Sequence, residues 1–208
     1  MRRRVILSTA LLLTTLAGLT FPTRAMVMAG PAAQDADHPV VVIDTTAGPI
    51  TVELDRTKAP GTVENFLKYV DKGFYDGLVF HRVMPRFMIQ GGGMKDINGT
   101  LEEKVEGAFP PIKNESSTGL SNVRGTIAMA RKPDPDSATS QFFINHGNNA
   151  NLDHYGGGYT AFGKVLDGMD VVDAIAKTQT TTRVDTLGQP HANVPVKPIL
   201  IKSIKRKP

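Results

Sequence analysis

Apolar positions along this chain change their spacing from stretch to stretch, and each change marks an element. Val40 to Thr45 is a β-branched apolar run that predicts a strand, and Thr46-Ala47-Gly48-Pro49 after it is turn chemistry. Ile50, Val52 and Leu54 then alternate with Thr51 and Glu53, so a second strand buries one face and the two make a hairpin. The period next lengthens. Val63, Phe66, Leu67 and Val70 stand at i, i+3, i+4 and i+7, one face of a helix. Pro60 suits the first helical position and Gly73 the stop. Strand-like runs follow at 78–84, 87–90, 126–130, 141–145 and 160–165, separated by long connections rich in Gly, Pro and Asn. A second helix is predicted over 169–176 and a closing strand over 199–204. There is no internal repeat. Mostly short strands with two helices predict one mainly β domain over residues 39–208, a closed β-barrel with helical caps.

The N-terminus follows another pattern. Arg2, Arg3 and Arg4 precede a predominantly apolar, uncharged stretch from Val5 to Leu19. Small residues at Thr23-Arg24-Ala25 and Val27-Met28-Ala29 then offer cleavage positions. This layout predicts a secretory signal peptide over residues 1–29, cut between 25 and 33, with 30–38 as a flexible leader. The competing reading, a membrane anchor, needs ~20 apolar residues, more than this run supplies. Arg3-Arg4-Val5-Ile6-Leu7 loosely resembles a twin-arginine signal, which leaves the export route open. The expectation is a periplasmic protein with no membrane association after cleavage.

That segment changes the charge argument. The formal net charge is +4, from 24 Lys and Arg against 20 Asp and Glu. Four basic residues and no acidic one precede Gln34, so the mature chain carries 20 of each and is neutral. Charge therefore gives no support to a nucleic-acid partner, and the basic tail around Lys202, Lys205, Arg206 and Lys207 reads as a solvated end. Cysteine is absent, which excludes disulfides, thiolate catalysis and Cys-ligated metals.

Ordinary catalytic constellations are missing. His38, His81, His146, His154 and His191 show no metal-ligand spacing and read as surface or loop histidines. Gly91-Gly92-Gly93 lacks the Lys-Ser/Thr of a phosphate loop, as does Gly156-Gly157-Gly158, and both read as bends or close backbone approaches. No metal and no cofactor are expected. One stretch does stand out. Arg82 lies in the apolar run Phe80-His81-Arg82-Val83-Met84, and an arginine there is costly to bury unpaired. It either snorkels to a rim or points into a wet cleft. A second run, Ser140-Gln141-Phe142-Phe143-Ile144-Asn145, again sets an amide beside two aromatics.

The stretch Phe80-His81-Arg82-Val83-Met84-Pro85-Arg86-Phe87-Met88-Ile89-Gln90-Gly91-Gly92 and the run Ser140 to Ile144 closely resemble the cyclophilin signature. Gly125 to Ala130, Leu152-Asp153, Phe162-Gly163-Lys164-Val165, Ala59-Pro60 and Glu64-Asn65-Phe66 fit it too, so the resemblance runs from about Val40 to Ile204. It is most similar to the periplasmic bacterial branch. The resemblance implies an eight-stranded antiparallel barrel capped by two α-helices. It also implies peptidyl-prolyl cis–trans isomerase activity on proline-containing polypeptides. By the same resemblance Arg82 is the catalytic arginine. Phe87, Met88, Phe143 and Leu152 line the proline pocket, and Gln90 binds the substrate backbone. Ala130 and the backbone of Arg131 border the groove, Gln141 helps shape it, and Tyr159 stands where many members have His.

Several positions depart from the family. Asn151 takes a place that is Trp in many eukaryotic members and often Phe in bacterial ones, so weak cyclosporin binding is expected. Arg131 replaces a common Asn, and three residues are inserted between Asp153 and Phe162. Two other functions stay in view. One is a non-catalytic peptide-binding chaperone on the same barrel, and the other a lipocalin-like barrel for a small apolar ligand. Polar Arg82 and Gln90 beside the pocket count against the second. No spare apolar helix or edge strand is evident, so a monomer is expected.

Overall fold

The computed structural model describes residues 36–118 and 120–207. The expected signal peptide and nearly all of the leader lie outside them. Twelve strands and two α-helices follow in order: β1 (Val40–Thr45), β2 (Gly48–Leu54), α1 (Pro60–Asp71), β3 (Arg82–Met84), β4 (Met88–Gly91), β5 (Met94–Ile97), β6 (Thr100–Glu103), β7 (Thr126–Met129), β8 (Phe142–Asn145), β9 (Ala161–Asp167), α2 (Met169–Ala176), β10 (Thr180–Val184), β11 (Pro190–Pro195) and β12 (Ile201–Arg206). Eight strands make one curled antiparallel sheet in the order β12-β1-β2-β9-β7-β8-β4-β3.

The expected closed barrel needs correction. No ladder joins β3 to β12. The seam between the sheet's ends is bridged by residues just before each strand, through Val79 opposite Leu200 and hydrogen bonds from Phe80 N to Ile199 O (3.0 Å) and Ile201 N to Leu78 O (2.7 Å). The strand expected over 78–84 is accordingly broken, with only Arg82–Met84 pairing in a ladder. The basic tail is solvated as expected, with Lys202, Lys205, Arg206 and Lys207 exposed, the first three of them on strand β12. Lys202 pairs with Asp44, and Arg206 makes a two-pronged contact with Asp71 of α1 (2.8 and 2.6 Å).

The helices lay their apolar stripes on the barrel interior. Val63, Phe66, Leu67 and Val70 of α1 and Val172, Ile175 and Ala176 of α2 join one core with Val41, Ile43, Ile50, Val52, Phe142, Ile144 and Phe162. Ala59 precedes Pro60 and has no side chain to cap α1, so its first N–H groups need a distant acceptor. Glu115 provides it: Gly61 N donates to Oε1 at 3.1 Å, and Thr62 N and Oγ1 donate to Oε2 at 2.8 and 2.7 Å.

Two hairpins interrupt connections that read as structureless. β5 and β6 pair around Asn98-Gly99, both with left-handed φ (51° and 92°), the geometry a two-residue Asn-Gly turn requires. β10 pairs with β11, and Thr186 N donates to Leu101 O at 2.9 Å, which fastens the second hairpin to β6.

Candidate active site

Strand pleating sends alternate residues to opposite faces of the sheet. Val83, Ile89, Ile127, Phe142, Ile144 and Phe162 point inward to the barrel core. Their neighbours Arg82, Met84, Met88, Gln90, Ala128, Phe143 and Ala161 therefore share the outer face. Register aligns five of these in one row across five strands: Arg82 opposite Gln90, Gln90 opposite Phe143, Phe143 opposite Ala128, and Ala128 opposite Ala161. The apolar end of that row builds a second hydrophobic cluster outside the barrel. It holds Met88, Ala128, Ala130, Phe143, Leu152 and Ala161, with half-buried Met84, Phe87, Leu120 and Tyr159 packed on it. Phe143 and Tyr159 meet edge to face, 5.9 Å between centroids.

The polar end of the row is Arg82. It is half-buried and makes no ion pair among the described residues. Its Nη1 lies 3.5 Å from Gln90 Oε1, at the limit of a hydrogen bond, and its guanidinium carbon sits 5.9 Å from the centre of the Phe87 ring. Gln90 Nε2 donates to Gln141 Oε1 at 3.1 Å. Gly93 makes that pair possible, because a Cβ there would run into the Gln141 side chain. Arg82, Gln90, Ala130, Arg131 and Gln141 line a cavity of about 700 Å³ beside the apolar cluster. Its far wall is the β10–β11 hairpin, through Pro190, His191, Ala192 and Asn193. The cavity is a polar chamber next to the apolar cluster, not the cluster itself. The chemistry of the row marks where the two meet, at Arg82 and Gln90.

All ten residues expected at the site thus lie in one contiguous patch. One of them, and one histidine outside the ten, differ from expectation. Arg131 acts through its side chain as well. Its Nε donates to Gly158 O (3.0 Å), Nη1 to Lys132 O (3.0 Å) and Pro133 O (3.2 Å), and Nη2 to Gly156 O (2.6 Å) and Tyr155 O (3.3 Å). The planar fork, lying 4.3 Å over the Tyr159 ring, pins the glycine-rich insertion against the cluster. Within that insertion Gly158, at φ 84°, passes so close to Ser116 and Asp153 that no side chain fits. His81 is not a surface histidine. It is 5% exposed, its Nδ1 has no partner, and burial, followed by the charges of His191 and Arg82, lowers its pKa to about 4. It lines the chamber as a neutral ring.

Residues that carry no sequence motif also shape the patch. The turn between β3 and β4 is held by His146, whose Nδ1 accepts from Arg86 N at 2.7 Å while its Nε2 faces Asp173 of α2 at 3.2 Å. That bond holds Arg86 in a left-handed conformation (φ 63°), which an L side chain adopts only at a cost. Burial of Asn122, Asn145 and Asn149 beside the apolar cluster likewise has no periodic signature.

Comparison with known proteins agrees with the geometry. Residues 40–206 match the family described as cyclophilin type peptidyl-prolyl cis-trans isomerase/CLD. The chain belongs to the cyclophilin family. It is 51% identical over 167 residues to peptidyl-prolyl cis-trans isomerase A of Dickeya dadantii, covering 79% of this chain and 83% of that protein. It is 44% identical to isomerase B of Escherichia coli, covering 79% and 98%. A cyclophilin type isomerase of Cryptosporidium parvum, solved in the presence of the dipeptide Ala-Pro, superposes with a TM-score of 0.65 at 27% identity, covering 81% of this chain and 99% of that one. This cyclophilin is a peptidyl-prolyl cis–trans isomerase, and relatives at this level of identity are bacterial. Cyclophilin isomerases act on proline-containing peptides.

Proposed function

We propose that the isomerase site is the outer-face row, with Arg82 as the catalytic residue and the Met88–Phe143–Leu152 cluster as the seat of the proline ring. The single observation that carries this reading is that an unpaired guanidinium and an apolar cluster share one row on the same face of the sheet, the guanidinium carbon 5.9 Å from the ring centre of Phe87, which packs on that cluster. Conjugation makes the peptide C–N bond resist rotation by roughly 18–20 kcal/mol. Free X–Pro bonds exchange in ~10–100 s. A turnover of ~10³ s⁻¹ needs an acceleration of ~10⁴–10⁵, or about 6–7 kcal/mol of differential stabilisation.

No bond is broken, so the site needs no nucleophile. In the twisted state the proline nitrogen loses conjugation and gains a lone pair. Arg82 donates to that lone pair, which the planar ground state does not offer, so the interaction favours the transition state selectively. Apolar burial of the ring, worth roughly 1.5–3 kcal/mol, holds one end still while the preceding carbonyl turns. Gln90, fixed by Gln141, orients the peptide, and Phe87, Ala130, Arg131 and Tyr159 border the groove. The chamber beyond Gln141 takes side chains that precede the proline.

The test is exchange NMR or a protease-coupled assay on a short X–Pro peptide. Arg82→Ala, on a half-buried outward position, is expected to melt with the parent and to lose at least ~10-fold in kcat/KM. Near-parental activity in the folded variant would refute the mechanism.

The protein serves polypeptides in the periplasm as a monomer. Support comes from the basic, apolar, small-residue order of the first 29 residues. N-terminal sequencing of the exported product is expected to begin between Met26 and Gln34. An intact Met1 in the membrane fraction would make the segment an anchor.

A further inference from the structure

We propose that Asn149, Asn145 and Asn122 are positioning residues that tie together the two walls of the proline site, Phe87 on one side and the Leu152–Tyr159 segment on the other. The inference rests on the isomerase site argued above. The three side chains are 6%, 0% and 0% exposed, yet every amide hydrogen among them is used. Asn149 Nδ2 donates to Phe87 O at 2.8 Å and to Asn145 Oδ1 at 2.7 Å. Asn145 Nδ2 donates to Asn122 Oδ1 at 3.1 Å and to Thr126 Oγ1 at 2.9 Å. Asn122 Nδ2 donates to Asp153 Oδ1 and to Tyr159 O, both at 2.9 Å. A continuous line of amides thus begins on the Phe87 carbonyl and ends on the backbone of Tyr159 and the side chain of Asp153.

Its direction is set. Each central oxygen receives one amide and each nitrogen gives two, so flipping any member sets acceptor against acceptor, and flipping Asn145 or Asn122 sets donor against donor as well. Asp153 supplies an acceptor that does not reverse. Burial raises its carboxyl, but hydrogen bonds from Ser121 and from the backbone and side chain of Asn122 outweigh that and hold it below the ordinary carboxylate value. Buried hydrogen-bond chains of this kind have one low-energy arrangement, because rotating any link leaves polar groups unmatched where water does not reach them.

The placement gives the line its consequence. Asn145 sits opposite Met88 in the register, on the outer face and two residues along the strand from Phe143. The relay therefore runs beside the apolar cluster rather than through the barrel core. Phe87 belongs to the turn between β3 and β4 and packs, half-buried, on the apolar cluster. Leu152 and Tyr159 flank the glycine-rich insertion, and Leu152 accepts from Tyr159 N at 2.9 Å. Neither wall is a strand of the main sheet; Phe87 O also accepts from His146 N (2.9 Å) and Gly147 N (3.1 Å), and the relay is the side-chain tie that continues from that carbonyl to the other wall. Arg82 and Gln90 lie on paired strands and do not depend on it.

A KM-against-kcat split tests the proposal. Asn145→Ala removes the central link and is expected to raise KM by about tenfold with kcat within about twofold, because the ring's seat loosens while the arginine stays in register. Asn149→Ala, at the loop end, is the second variant and enters a double-mutant cycle with Phe87→Ala. It is expected to raise KM severalfold alone and to add nothing once Phe87 is already truncated. A KM within twofold of the parent in folded Asn145→Ala or Asn149→Ala overturns the relay. An equal cost of Asn149→Ala with and without Phe87 overturns it as well, since a purely structural role gives that result. An inactive parent protein instead overturns the isomerase site, and the relay with it.

Discussion

Acid stability is expected to be governed between pH 6.5 and 4 by one ring, His81. Its pKa falls from 6.5 to about 4, first because burial penalises the charged form and then because of electrostatic repulsion from His191 and Arg82. Above pH 6.5 the ring is neutral in both folded and unfolded chains, and its titration has no effect. Between 6.5 and 4 the unfolded chain binds a proton that the folded chain refuses. Stability then rises with pH, and is lost as pH falls through that window. The full shift corresponds to about 3 kcal/mol, a large share of a typical domain's stability. The carboxylates of Asp71, Asp153 and Asp173 sit below their ordinary value of 3.8, so their contributions fade only at still lower pH. Urea unfolding at pH 7.5 and at pH 4.5 measures the loss, in the parent and in His81→Gln. The variant is expected to be less stable at neutral pH, where it loses a fitted ring, but its stability is expected to fall by about 2 kcal/mol less on acidification. Parallel losses in the two proteins would mean that His81 is already charged in the fold, or that the ring is wetter than its 5% exposure indicates.

Phe143→Ala and Met88→Ala truncate buried members of the outer cluster and are expected to cost ~2–5 kcal/mol and to weaken peptide binding in the folded fraction; lost stability with unchanged activity of that fraction would remove them from the proline seat. Asn151 is exposed on the turn that carries Leu152, and its amide offers a large apolar ligand little area. Cyclosporin is therefore expected to bind poorly, and Asn151→Trp to tighten it by ~10² with little change in kcat, since an indole adds apolar surface worth a few kcal/mol. Nanomolar binding by the parent, or an unchanged affinity in folded Asn151→Trp, would refute the assignment.

What local pattern controls was legible from the chain alone. The strand of Val40–Thr45, the stripe Val63-Phe66-Leu67-Val70 and the helix Met169–Ala176 stand where periodicity put them, because burial of one face imposes period 2 or 3.6 on the residues themselves. The motif around Arg82 and Phe143 was legible for another reason: the family resemblance carries it as consecutive residues. The β5–β6 hairpin went unread, although its Asn98-Gly99 dipeptide is a hairpin signal, because the flanking residues alternate too weakly to look like strands. The rest depended on which segments meet. Nothing near Glu115 says that it caps a helix 53 residues earlier, and nothing near Arg131 says that its fork will find five carbonyls. His81 looks like any histidine until the chamber wall buries it. Asn122 and Asn149 look like loop residues, and Asn145 like the end of a strand, until the curled sheet sets Asn145 between two covering loops. Hydrogen bonds between segments distant in the chain carry no sequence period, so only the curling of the sheet and the packing of its loops decided them.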